Sequence, residues 1–191
     1  MDDSIAALFA ARASGDGAFE ALEALFSLTE GPVDWAYDAW PGLVQDLGSA
    51  DNHRRSVAGA MLCRLAISDP EHRILKLMPL LERTIRDERF VTARHVLQGL
   101  WRAGVPGTSH ADTVIDALER RFADSAPEKS GSLVRTDILE CLGKLARFGQ
   151  AARIDGTARS LIDTEPDTGA QAKLRAAWRK GLRSTDACRP G

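Results

Sequence analysis

The sequence predicts an all-α fold, a short α-solenoid of stacked antiparallel helix pairs, and three observations carry that expectation. The first is an internal overlay. Leu62-Cys-Arg-Leu65, Leu97-Gln-Gly-Leu100, Leu142-Gly-Lys-Leu145 and Leu174-Arg-Ala-Ala177 align on their first leucines, which stand 35, 45 and 32 residues apart. Self-similarity at a period of roughly 20–50 residues marks units that bury their apolar faces by stacking on one another. The second is composition: 44% of residues are apolar, 27% charged and only one is Tyr. Ala, Leu, Arg and Glu outnumber Val and Ile, which favours helix over sheet. The third is periodicity inside the overlay. Apolar residues recur at offsets −4, −1, 0 and +3 from the anchor, as Ala58, Met61, Leu62, Leu65; Ala93, Val96, Leu97, Leu100; and Ile138, Cys141, Leu142, Leu145. At about 100° per residue these offsets form one stripe roughly 100° wide. The last copy keeps Ala170, Leu174 and Ala177 but carries Lys173, as suits an end unit without an outer neighbour.

Each element has its own signals. Asp3-Ser4 caps a first helix running to about Ala13, and Ser14-Gly15-Asp16-Gly17 stops it. A second helix starts near Ala18 with the stripe Phe19, Leu22, Leu25 and Phe26, and ends at Glu30-Gly31-Pro32. Trp35 to Leu47 is helical with a restart at Trp40-Pro41, because proline is tolerated in a first turn. Asp51 caps a helix to about Ile67; after Ser68-Asp69-Pro70 another spans Glu71 to Arg86 and is kinked by Pro79. Further helices cover Phe90 to Ala103, His110 to Asp124, Leu133 to Phe148, Ala152 to Ile162 and Thr168 to Leu182. Residues 1–183 form one helical-repeat domain, and 184–191 read as a frayed polar C-terminal tail.

The pairing of a proline-bearing first helix, an Asp/Arg-bearing turn and an Ala/Leu-rich second helix resembles HEAT and HEAT-like armadillo repeats. The copy from Leu75 to Gly104 carries the likeness best, with Pro79, Asp87, Arg94 and the Leu97/Leu100 pair. The resemblance extends over residues 35–182. It departs from the pattern in the later first helices, which lack proline, and at Leu139 and Gln171, which stand where Arg94 does. The likeness implies a right-handed solenoid whose second helices line a concave face.

Charge is graded along the chain. Residues 1–50 sum to −8, residues 51–142 to +1 and residues 143–191 to +5, which gives the overall −2. A charge-polar molecule steers charged partners. The acidic Met1-Asp-Asp-Ser start differs from a secretory leader, and no apolar run approaches the ~20 residues that span a bilayer. A cytoplasmic protein without membrane association is expected. Cys63, Cys141 and Cys188 are odd in number and far apart, so free thiols are expected, with Cys63 and Cys188 the more exposed.

No catalytic spacing, metal-ligand pattern or cofactor motif appears; His53, His72, His95 and His110 each lack a second ligand at helical spacing. The candidate site is instead a contact surface. Offset +5 holds Ile67, Arg102, Arg147 and Arg179, so three arginines fall in register, with Arg175, His95 and Gln98 on the same outward side. The resemblance places this ladder on the concave face, suited to an acidic peptide or a phosphate backbone. Arginine in a last turn also complements the free carbonyls of its own helix. Trp101 and Trp178, at offset +4, pack at the stripe's border, and Trp35, Tyr37 and Trp40 stand beside Asp34 and Asp38. The expected function is a non-enzymatic scaffold or adaptor binding a protein partner. The alternative is a DNA-binding protein resembling the HEAT-like alkylated-base DNA glycosylases, for which the aromatic-plus-carboxylate set would supply a cation–π pocket.

Overall fold

The computed structural model describes residues 1–12 and 17–188. Among these residues the chain is all-helical, with no strand. The helices are α1 (Asp3–Ala11), α2 (Ala18–Leu28), α3 (Ala36–Leu47), α4 (Asn52–Leu65), α5 (Arg73–Thr84), α6 (Phe90–Gly99), α7 (Thr108–Asp124), α8 (Gly131–Leu145), α9 (Ala151–Asp163) and α10 (Thr168–Leu182). Short 3-10 turns prolong α4 (Ala66–Ser68) and α6 (Leu100–Gly104).

Carboxylates start three of these helices. Asp51 accepts from the His53 and Arg54 amides and Asp167 from the Ala170 amide, each satisfying first-turn donors that have no helical partner. At α1 the capping residue is Asp2, which accepts from the Ile5 amide, rather than Asp3-Ser4. The expected stop at Ser14-Gly15-Asp16 lies outside the described residues. The expected restart at Trp40-Pro41 does not occur: α3 runs through Pro41. Buried Trp35, Ala39, Trp40 and Leu43 hold both halves of α3 against the core, so packing outweighs the one hydrogen bond the proline removes.

The even-numbered helices pack in succession, α4 on α6, α6 on α8 and α8 on α10. The odd-numbered ones do the same, α5 on α7 and α7 on α9, while α3 lies on α4 and α1 on α2. The overlay explains why. Ala58, Met61, Leu62, Leu65, Val96, Leu100, Ile138 and Leu142 are all 0% exposed, and the rest of the stripe from Ala93 to Leu145 is buried with them. Lys173, which interrupts the last copy, is exposed. Trp101 goes deeper than the border position expected of it, at 1% exposure, and stacks on Phe148 with ring centroids 5.3 Å apart.

Ion pairs between neighbouring units reinforce the stacking. Arg55 of α4 reaches Asp87 before α6 (2.6 Å), and Arg94 of α6 reaches Asp137 of α8 (2.6 Å). Arg135 of α8 reaches Glu165 before α10. Arg55 and Arg135 both stand seven residues before their anchor leucine, so one register position performs the same bridging role twice. The aromatic set near residue 35 is also used in packing. Trp35 meets Phe9 edge-on, Tyr37 meets Trp40, and the Tyr37 hydroxyl donates to Asp69 at 2.6 Å.

Candidate functional site

The six contact residues expected from sequence are divided among three places. His95 and Gln98 of α6 line a cleft of about 390 Å³ together with Phe19, Leu22 and Phe26 of α2 and His53, Ser56, Val57 and Ala60 of α4. Its walls are mostly apolar, and Phe19 is 68% exposed at its edge. His95 Nδ1 lies 3.2 Å from the Ser56 hydroxyl, while the Gln98 amide nitrogen donates to Asp137 at 3.1 Å. Arg175 and Arg179 occupy a second place, a depression between α9 and α10 shared with Asp155, Arg159, Ile162, Asp163 and Trp178. There Arg175 donates to Gln171 at 3.1 Å and stands 3.8 Å from Asp163.

Arg102 and Arg147 form the third place, together with a stretch of chain that sequence reasoning left out. Residues 184–191 were expected to be a frayed polar tail; 189–191 lie outside the described residues, and 184–188, which form no helix, turn or bend, lie across the ends of α6 and α8. The Arg102 guanidinium donates to the Ala187 carbonyl at 2.7 Å, and Arg147 donates to the Asp186 carbonyl at 3.2 Å. The Asp186 carboxylate lies 2.8 Å from Lys144 Nζ, and Cys188 is buried beside Arg102. Three protein cations thus hold Asp186 and Ala187 within this irregular stretch.

Arg102 is only 6% exposed and has no carboxylate within ion-pair distance among the described residues. Its neighbour Arg64 donates to the Phe26 carbonyl at 2.8 Å and stacks 4.2 Å over the Phe26 ring. Burial, with the charge of Arg102 added, pushes the Arg64 guanidinium down to about 10. Burial likewise lowers Arg102 from its ordinary value. Two desolvated guanidiniums side by side favour any anion or carbonyl that reaches them. For Lys144 burial acts downward, but Asp186 and Glu140 outweigh it and hold the ammonium above its usual value.

The apolar cleft and the cationic end are contiguous. Ala60 and Arg64 are one turn apart on α4, Gln98 of α6 is four residues before Arg102 in the 3-10 turn that prolongs it, and Phe26 touches both regions. Arg64 and Lys144 escaped the sequence reading, although a signal existed: both occupy offset +2 of the overlay. Segment 184–188 gave none, since a short polar stretch without periodicity carries no sign of where it lies.

The thiols are buried throughout, Cys63 and Cys188 included, contrary to the exposure expected of those two. Burial pushes Cys63 and Cys141 up to about 12, although nearby cations pull the other way. At neutral pH both are protonated and unreactive. No helix among the described residues is long and apolar enough to cross a membrane. Compared with protein-family models and with curated proteins, the chain matches none.

Proposed function

We propose that this chain is a short right-handed α-solenoid of HEAT-like helix pairs that works as a non-catalytic interaction scaffold. It takes an acidic segment of a protein partner along the face shared by α4, α6 and α8. Support for the architecture comes from the successive packing of alternate helices, the buried stripe repeated at each anchor, and arginines that reach from one unit to the next.

The observation that carries the binding reading is the laying of an extended segment over Arg102, Lys144 and Arg147. A surface that holds peptide carbonyls and a carboxylate from its own chain has the donors to hold those of another. The adjoining cleft adds apolar area and an exposed aromatic, the usual anchors of an interface. Nucleic acid is the other sequence expectation; support for peptide is that the acceptors which the chain itself supplies to Arg102 and Arg147 are backbone carbonyls.

The test is a fluorescence-anisotropy titration of acidic and basic peptides and of duplex DNA at low and at physiological salt. Acidic peptides are expected to bind, with an affinity that weakens as salt rises. Preference for DNA, with the steep salt slope of counterion release, would move the assignment to nucleic acid. Binding of neither class would overturn the scaffold reading of this face.

A further inference from the structure

We infer that the cationic end of this face recognises an extended tripeptide of the form acidic–small–apolar, and that residues 186–188 occupy the site as an internal stand-in which such a partner strand displaces. This rests on the binding reading above and adds the ligand motif and its regulation.

Each contact of the segment reads a different feature. The carboxylate of Asp186 meets Lys144, so the first position demands an acid. The carbonyls of residues 186 and 187 accept from Arg147 and Arg102, contacts that any residue supplies and that fix an extended course. Ala187 is half-buried and Cys188 is 6% exposed, so the second position takes a small side chain and the third an apolar one. Backbone contacts set affinity here and alternate pockets set specificity, as in strand-like peptide recognition generally.

Exchange of occupants is favoured over an empty site. Without the segment, Arg102 would lose both the Ala187 carbonyl and the cover that residues 186–188 give its guanidinium, contacts that a competing strand restores. The segment itself is easy to lift. It has no helix or strand, its side chain Asp186 is 44% exposed, and its internal tie is a single Asp186 amide to Ser184 hydroxyl bond of 3.1 Å. Irregular segments of this kind open at low free energy. Release leaves Lys144 still paired with Glu140 at 3.3 Å. An intramolecular occupant weakens the apparent affinity of a competitor by the fraction of time it fills the site.

The experiment uses the full chain, a fluorescein-labelled Ser-Thr-Asp-Ala-Val peptide, a Ser-Thr-Lys-Ala-Val control and the variant Asp186→Lys. Anisotropy reads binding, and mass spectrometry reads iodoacetamide alkylation of Cys188 with buried Cys63 and Cys141 as internal references. The aspartyl peptide is expected to bind and the lysyl control to fail. Adding the aspartyl peptide is expected to accelerate Cys188 alkylation in the wild-type chain. Asp186→Lys, which sets a cation against Lys144 and Arg147, is expected to alkylate rapidly without peptide and to bind the peptide about tenfold tighter. Peptide binding with unchanged Cys188 alkylation would overturn the stand-in while leaving the scaffold reading intact. Slow alkylation in Asp186→Lys would overturn it equally. No peptide binding by a variant whose Cys188 is freely alkylated would overturn the motif, because the site is then open. Failure of every acidic peptide as well would bring down the scaffold reading.

Discussion

Gly143 of α8 and Gly181 of α10 face each other where the two helices cross. A Cβ added to Gly143 would lie 2.9 Å from the Gly181 Cα, and one added to Gly181 would lie 2.9 Å from the Gly143 Cα. Real Cβ atoms essentially never approach backbone so closely, so both positions require glycine for the helices to meet at all. This crossing brings Lys180 within 2.8 Å of Glu140 and sets the frame from which segment 184–188 departs.

Gly143→Ala is therefore expected to push α10 off α8 and to destabilise the chain by about 1–3 kcal/mol, the usual range for overpacking. Gly59→Ala provides the comparison. Its Cβ would meet the Val96 side chain rather than backbone, so α4 and α6 adjust more readily and the loss is smaller. Thermal unfolding of both variants measures the difference; a larger loss for Gly59→Ala would contradict the backbone contact.

Asp137 is 4% exposed and is held by Arg94 and Gln98 of the neighbouring helix α6. Arg94→Met keeps the packing stem but leaves the carboxylate with Gln98 alone. A stability loss of about 1–3 kcal/mol is expected from a buried acceptor left unsatisfied. Adding Asp137→Asn should recover part of it, and urea denaturation of the double-mutant cycle measures the coupling.

His110 is 2% exposed, its Nε2 has no hydrogen-bond partner, and the His72 ring centroid is 4.9 Å away. Burial first, and the charge of His72 second, hold the imidazole below its ordinary 6.5, with Asp69 opposing. The folded chain thus prefers His110 neutral. Above 6.5 this group costs nothing; as pH falls below that value the unfolded chain takes up a proton that the folded chain resists, and stability drops. The drop ends at the folded value. His110→Gln is expected to flatten the melting temperature through this window. Asp87, Glu140 and Asp186 have lowered values, so their contributions are lost only in the carboxylate range below it.

Phe19 stands 68% exposed at the rim of the apolar cleft. Phe19→Ser should leave stability within about 0.5 kcal/mol of the wild type, as surface changes usually do. An acidic partner whose apolar residues reach the cleft is expected to lose about 2 kcal/mol of binding, the scale of a truncated aromatic anchor. Parallel calorimetry and anisotropy separate the two effects, and unchanged binding would remove the cleft from the partner-binding surface.

The apolar stripe was legible because helical periodicity and burial are the same fact seen twice. Offsets −4, −1, 0 and +3 point one way from a helix, and in α4, α6 and α8 all of them are buried. The caps at the starts of α4 and α1 were equally local: Asp51 caps where the sequence places it, and Asp2 caps one residue from the expected Asp3-Ser4. Pro41 was misread for the converse reason. The cost of a proline is local, but the packing of Trp35 and Trp40 that outweighs it is not.

The arginines divide along the same line. Their register was readable; their surroundings were not. Arg102 would serve its own helix end if the chain were an isolated helix, yet it donates to Ala187, 85 residues away. The sequence by itself determined where the helices lie, which faces they bury and that cations recur at fixed positions, because these depend on neighbours within a few turns. Only the tertiary structure decided that Arg102, Lys144 and Arg147 meet one segment. That outcome depends on where distant backbone comes to rest, and no short-range pattern encodes it.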